Sequence, residues 1–335
     1  MENEKQLILA DSDLRDILPV MNAYIDMAVG SDENNFEVKV CLQKWDARMT
    51  FGNVLYIKNT EYGGIIGEVD TDTAEDKVSL IGYTWRGMLS KKIIQPPSGQ
   101  DYMKVSGELN EVIGSIISGQ FVDYFVASNE STGVTVSSYK FERYCTLLYG
   151  LEKMLKSVNY RLQIKYTQQE QGQPGYIEIA AVPIVDYSQQ IELSQDSRLN
   201  FTFKNIKNGV NHLICLGKGE LQDRQVVHLY VQKNGSIGTT PYYTGLQEIA
   251  ETYEDTSSEA AELQEKGIEK LQELMNSTAF SMDVERLNVD LEIGDVAGGR
   301  DYITGMYAAK PVVKKIYRLD NGKETLEYEL EGDDS

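Results

Sequence analysis

The chain is 335 residues long, with 41% hydrophobic and 25% charged residues, ordinary proportions for a globular protein but longer than the roughly 250–300 residues one core usually serves. Its 52 acidic against 32 basic residues give a net charge of -20, which argues against sequence-independent grip on a nucleic acid backbone. Apolar runs stay below the roughly 20 residues of a membrane-spanning helix, and the opening MENEKQLILADSD lacks the basic and apolar regions of a signal peptide, so cytoplasmic synthesis is expected.

Residues 1–98 read as the first domain, and it is β-rich. Residues 14–29 carry helix-like spacing. Phe36, Val38, Val40 and Leu42 then alternate with Glu37, Lys39 and Cys41, as a half-buried strand does. Residues 54–58, 64–69 and 78–83 follow at short intervals with turn residues between them, which suggests a small barrel or sandwich. Residues 85–89 read as one helical turn, and Gln95-Pro96-Pro97-Ser98-Gly99 breaks the chain at the expected domain boundary.

Residues 99–188 change period. Leu109, Val112, Ile113, Ile116 and Ile117 fall at helical spacing and stop at Gly119. A Ser-rich stretch, 128–138, precedes a longer stripe through Phe141, Tyr144, Cys145, Leu148, Leu151, Leu155 and Val158. Two strands, 160–166 and 176–182, are joined by QQEQGQPG, so this section is expected to be a small inserted α+β domain.

Residues 189–335 return to β. Leu199, Phe201 and Phe203 alternate, Asn208-Gly209 marks a turn, and 212–216 and 226–231 read as strands. Helical spacing reappears over 243–275, interrupted by EDTSSEAAELQEKG, so two embedded helices are expected. In the last stretch, 288–332, Leu287, Val289, Leu291 and Ile293 alternate with Asn288, Asp290 and Glu292. A turn is expected at Ala297-Gly298-Gly299, and Asn321-Gly322 between apolar runs is a strong two-residue hairpin signal. The fold class predicted is α+β, mainly β.

Few residues suggest chemistry. Cys41, Cys145 and Cys215 are far apart among apolar neighbours and read as free thiols, and His212 and His228 as polar positions on strands. Glu68, Asp70, Asp72, Glu75 and Asp76 resemble a calcium loop, but Glu75 stands where its glycine belongs and Ile81 where its closing glutamate belongs, so a solvated turn is the reading. Gly217-Lys218-Gly219 has no βαβ unit around it to hold a phosphate. Gly298-Gly299-Arg300-Asp301 is accounted for by a glycine turn, and Tyr242-Tyr243 by interface or strand filling. No G-x-S-x-G elbow is present, and carboxylates are too abundant to single out a glycosidase pair. No catalytic, cofactor-binding or metal residue is assigned, and no cofactor is expected.

Two segments carry a family resemblance: GGIIGEVDTDTAEDKVSLIGYTWRGMLSKKIIQPP at 63–97 and LEIGDVAGGRDYITGMYAAKPVVKKIYRLDNGKETLEYELEG at 291–332. Both resemble tail-tip, or baseplate, hub proteins of tailed bacteriophages, of the Gp-thirty-seven-like siphophage family and the wider T-even hub fold. The resemblance implies two β-barrel tube domains, 1–98 and 189–335, around the inserted domain 99–188. It further implies a homotrimeric ring that joins tail tube to tip, surrounds the DNA exit channel and has no catalysis. The implied partners are further copies of the chain, a tail tube or distal tail protein, tail fibre or tip proteins and a tape-measure protein. DNA would be passing cargo only, membrane insertion is not expected, and the location would be the virion tail. Residues 14–29 depart from the family's opening strands. Because no lytic module follows residue 332, a bare hub is expected, with lytic or receptor-binding parts supplied separately. From other classes, a tail-associated cell-wall hydrolase using Asp and Glu, or a carbohydrate-binding adhesion protein, are the alternatives. Strands 36–42 and 287–293 are the expected ring contacts.

Overall fold

A computed structural model of the chain describes residues 5–121, 124–168, 173–188, 192–193, 200–205, 207–276, 278–284, 290–300, 305, 307–320 and 322–331. They fall into two compact units: Met1–Phe201 with Ser281–Glu331, and Thr202–Phe280. The boundary expected at residue 98 falls inside the first unit. The mainly β, α+β class is observed.

The first unit opens with β1 (Leu7–Ala10), β2 (Asp16–Pro19), β3 (Tyr24–Gly30) and β4 (Asn35–Cys41). The helix suggested by the spacing of residues 14–29 does not form. Asp11 Oδ1 accepts from the amides of Asp13 and Arg15, both at 2.9 Å, which sets a turn, and Leu14 takes φ +62°. β5 (Val54–Ile57), β6 (Gly63–Asp72) and β7 (Lys77–Thr84) follow. β5 is buried at every position because its two faces feed two different cores: Leu55 and Ile57 one, Val54 and Tyr56 the other. Phe36 of β4 lies over Gly64 and Gly82. A methyl on Gly82 would stand 2.0 Å from the Ile65 carbonyl oxygen and 2.9 Å from the Phe36 ring.

After α1 (Trp85–Ser90) come β8 (Lys104–Glu108), α2 (Leu109–Ile117), β9 (Phe125–Ala127), β10 (Thr135–Lys140) and α3 (Leu147–Lys156). Glu108 caps α2, its Oε2 accepting from Asn110 N at 2.8 Å and Glu111 N at 3.2 Å. α3 starts later than the apolar stripe from Phe141 suggests, because Thr146 caps it through Tyr149 N at 3.2 Å. β11 (Tyr160–Thr167) and β12 (Tyr176–Pro183) form the expected antiparallel hairpin, with β9 parallel on the far side of β12. These elements enclose a core with Trp85, Phe141, Leu151 and Tyr166 at its centre. β13 (Glu192–Leu193) and β14 (Asn200–Asn205) follow; Leu199 lies outside the described residues.

The second unit holds β15 (His212–Leu216), β16 (Val226–Val231), β17 (Ile237–Gly238), β18 (Ala250–Glu254) and α4 (Ala260–Leu274). Its sheet runs β17-β16-β15-β18, with β18 parallel to β15. Leu263 and Leu271 of α4 pack on Leu213, Cys215, Leu229 and Val231. The helical segment expected over 243–275 is therefore corrected: only its second half is α-helix. A single 3-10 turn, Gly245–Gln247, ends at extended Glu248, and Asn211 fixes that exit, donating to Gln247 O at 2.7 Å and accepting from Ile249 N at 3.0 Å, before Ala250–Glu254 pairs as a strand. Leu246, whose spacing suggested a buried helical face, is fully exposed.

The chain returns to the first unit with β19 (Thr278–Val284), β20 (Val296–Arg300), β21 (Tyr307–Asp320) and β22 (Lys323–Leu330). The Asn321-Gly322 hairpin forms as expected, with Asp320 opposite Lys323; Asn321 itself lies outside the described residues, as do 287–289 and Asp301. The turn expected at Ala297-Gly298-Gly299 is instead strand β20. Gly298 serves close approach, since a methyl there would stand 2.9 Å from Ser188 O and 2.8 Å from Tyr307 Oη. Of the strand expected at 287–293, the described residues from Asp290 on are not strand, yet Leu291 and Ile293 are buried.

β21 pairs antiparallel with β3, so both ends of the chain share one sheet, ordered β22-β21-β3-β4-β7-β6-β5-β1-β2. No pairing among the described residues closes this path into a barrel. The sheet curls all the same: Leu7 and Leu9 of β1, Ile25 and Met27 of β3, Val38 of β4 and Tyr317 of β21 belong to one core. Tyr62 stacks on Tyr317 with ring centroids 4.7 Å apart, and Lys5 pairs with Glu324 of β22.

Candidate functional site

The densest polar grouping in the first unit lies between the curled sheet and the helices. Arg86 enters it because α1 starts directly after β7, and Lys315 comes from the middle of β21. The Arg86 guanidinium donates from Nε to Glu61 Oε2, from Nη1 to Glu152 Oε1 of α3 and from Nη2 to Leu162 O of β11, each at 2.9 Å. Lys315 Nζ pairs with Glu292 Oε2 at 2.9 Å and stands 3.9 Å from Glu61 Oε1. Beside them Arg161 Nε donates to Asp295 Oδ1 at 2.8 Å, and the same carboxylate accepts from the amides of Val185 and Glu292. The grouping borders a cavity of about 210 Å³ lined by Glu61, Tyr62, Arg86, Glu292 and Lys315. Glu61 Oε1 and Tyr62 Oη are buried there without a hydrogen-bond partner among the described residues.

Its electrostatics follow from three glutamates sharing two cations. Burial pushes Glu152 up to about 7; Arg86 opposes the shift and Glu61 adds to it. Burial also raises Glu292, with Lys315 opposing. Burial disfavours the charge on Arg86 and on Lys315, yet the glutamates around each win and hold both above their ordinary range. Arg86 spends Nε, Nη1 and Nη2 on the protein itself. Chemically this is a clamp joining α1, α3, β11 and the segment before β6.

In the second unit, Ser258 Oγ lies 2.9 Å from Lys266 Nζ, the spacing of a serine–lysine pair. Asp255 cancels that reading. Its Oδ2 accepts from Ser258 Oγ at 2.7 Å and from Lys266 Nζ at 2.6 Å. Those bonds hold Lys266 well above the usual lysine range and Asp255 well below the usual carboxylate range. A lysine kept charged cannot take a proton from the serine. The three residues instead fasten the turn that leads into α4.

The chain's two histidines, which the sequence treats as unrelated strand positions, meet on the sheet face opposite α4. His212 Nε2 lies 2.8 Å from His228 Nδ1, and His212 Nδ1 lies 2.6 Å from Glu248 Oε1. Tyr230 stacks on His212 with centroids 4.2 Å apart. The signal that pairs them is register: His212 faces Tyr230 and Ile214 faces His228, so the histidines sit diagonally on one face. The ring centroids are 5.1 Å apart, about the sum of the nitrogen separation and two ring radii, so the nitrogens point at one another as in a hydrogen bond.

Other positions weighed from the sequence resolve as follows. Glu68, Asp70 and Asp72 lie on the part of β6 beyond its pairing with β5, and Glu75 and Asp76 on the turn to β7. Acidic residues there protect an open edge. Among the described residues no group of three or more His, Cys, Asp and Glu is arranged to hold a metal ion. Gly217 and Gly219 shape the β15–β16 connection, with Gly217 N donating to Gln225 O at 2.8 Å. Tyr242 and Tyr243 meet edge to face at 4.9 Å. The three cysteines are free, and burial raises the Cys145 and Cys215 thiols. Strand β4, expected at a ring contact, is paired on both sides by β3 and β7 and offers no edge. No described helix is long and apolar enough to cross a membrane.

No family model and no curated protein matches the chain. Solved structures do. The 43 kDa tail protein of prophage MuSo2 from Shewanella oneidensis aligns with a TM-score of 0.57 at 10% identity, over 97% of this chain and 98% of that one. A chain of the P2 virion baseplate in its activated conformation gives 0.53 at 10% identity, over 98% and 100%. The tail protein from Neisseria meningitidis MC58 gives 0.52 at 13% identity, over 98% and 96%. At these identities the likeness is one of fold, and it runs end to end in each pair.

Proposed function

We propose that the chain is a structural part of a phage or prophage tail tip: a homotrimeric hub ring of the Gp-thirty-seven-like kind, joining the tail tube to the tip and fibre apparatus around the DNA exit channel. The observation that carries this reading is the end-to-end likeness of fold to phage tail and baseplate proteins. In this reading the curled sheet of β1, β3 to β7 and β21 is tube-domain wall, and a net charge of -20 lets DNA pass without sticking. A non-catalytic role is supported at two of the polar groupings, where Arg86 and Lys266 are both committed to carboxylates. Its partners would be copies of itself, a tail tube or distal tail protein, fibre or tip proteins and a tape-measure protein.

The test is where the protein sits and whether it cuts. Antibody against this chain should decorate the tail tip in electron micrographs of the particles that carry it, and purified protein should clear no cell wall in a zymogram. Wall clearing abolished by changing one Asp or Glu would replace this reading with that of a tail-associated hydrolase.

A further inference from the structure

The loop 42–53, between β4 and β5, holds large apolar side chains in water. Trp45 is 43% exposed and Phe51 is 65% exposed. The loop is nonetheless fastened along its length. Met49 is buried in the curled-sheet core, and Asn53 Nδ2 donates to Arg48 O at 2.7 Å. The Asp46 carboxylate accepts from Arg48 N, Nε and Nη2, each at 2.9 Å. Gly52 N donates to Ile66 O and Ile66 N to Asn53 O, both at 2.9 Å, locking the loop to β6. An aromatic display held in place before binding loses little entropy on docking, and tryptophan is among the residues that most often carry binding energy.

Charge narrows the occupant. Within 42–53, Lys44 and Arg48 stand against Asp46, so the loop is net positive in a chain of net charge -20. Lys44 is exposed and has no ion-pair partner among the described residues. A positive aromatic loop complements a carboxylate-rich surface, and another copy of this chain supplies one.

We propose that loop 42–53 is a contact between copies, with Trp45 and Phe51 seated on the acidic surface of the neighbouring chain and Lys44 facing its carboxylates. The two surfaces differ, so the contact is heterologous, the type that closes into a ring when the rotation permits. This inference rests on the homotrimer reading above and names the surface that makes it.

The chain's two tryptophans make the test direct, since Trp85 is fully buried and Trp45 is the exposed one. Light scattering across protein concentration follows association while acrylamide quenching follows Trp45, with Trp45→Phe giving the Trp85 baseline. The quenchable emission should fall severalfold as trimers form. Trp45→Ser should weaken association at least about 30-fold with unchanged thermal unfolding, as expected for a hot-spot residue. Lys44→Glu should weaken it in the same direction. Trimers in which Trp45 stays as quenchable as in the monomer, or a Trp45→Ser chain that trimerises at wild-type concentrations, would overturn this surface and leave the trimer standing. A chain that remains monomeric at every concentration would overturn both.

Discussion

Arg86 Nε donates to Glu61 Oε2 across 2.9 Å, with both side chains shut away from water at 2% and 6% exposure. Such a pair gains little over a well-packed apolar one, but losing one partner strands the other. Arg86→Met should therefore destabilise the first unit by about 3–5 kcal/mol, because Glu61 and Glu152 both lose the guanidinium that donates to them. Urea unfolding followed by tyrosine and tryptophan fluorescence measures it. A loss below about 1 kcal/mol would mean the clamp does not hold these elements together.

The second carboxylate of that clamp sets a pH dependence of unusual sign. Glu152 lies at about 7 in the folded protein against an ordinary 4.5, so between those values the folded state binds more protons than the unfolded one. Stability should fall as pH rises through that window and level off above it, by at most about 3.5 kcal/mol given roughly 1.4 kcal/mol per pH unit. Glu152→Gln should remove this contribution. Thermal unfolding of both proteins from pH 5 to pH 8 tests it, and identical slopes would refute the assignment.

Gly82 and Gly67 make a matched pair of substitutions on the same hairpin. A Cβ on Gly82 would collide with the Ile65 carbonyl and the Phe36 ring, whereas one on Gly67 meets only Ile81 O at 3.9 Å. Gly82→Ala should cost at least about 2 kcal/mol, the overpacking penalty, while Gly67→Ala stays within about 0.5 kcal/mol. Equal effects in chemical denaturation would place the Phe36 ring elsewhere.

Ser258 should be inert. With Lys266 held charged by Asp255, a fluorophosphonate probe should leave the protein unlabelled, as read by intact mass. Labelling lost in Ser258→Ala would revive the serine–lysine pair as a reactive site.

The strands and helices legible in the sequence are those whose spacing and local chemistry agree. β4 alternates because one face alone is buried, and α2 reads correctly because Glu108 caps it and Gly119 follows. Residues 243–253 mislead because apolar spacing alone cannot register that Asn211 fixes the extended exit from the turn at Gly245–Gln247. Gly298-Gly299 misleads because glycine serves close packing as readily as turning. The clamp was invisible: Glu61, Arg86, Glu152, Glu292 and Lys315 are scattered along the chain, and only the pairing of β21 with β3 brings Lys315 back beside the elements of the first hundred residues. The histidine pair depended on a strand register that neither histidine's local sequence encodes.

The central claim is a threefold ring, and sedimentation equilibrium with electron-microscopic class averages of the purified chain tests it most directly. The account predicts a particle of three times the 37.7 kDa chain mass whose averages show threefold symmetry about a central opening. A particle that stays at 37.7 kDa at every concentration, or that closes as a twofold dimer, would contradict it.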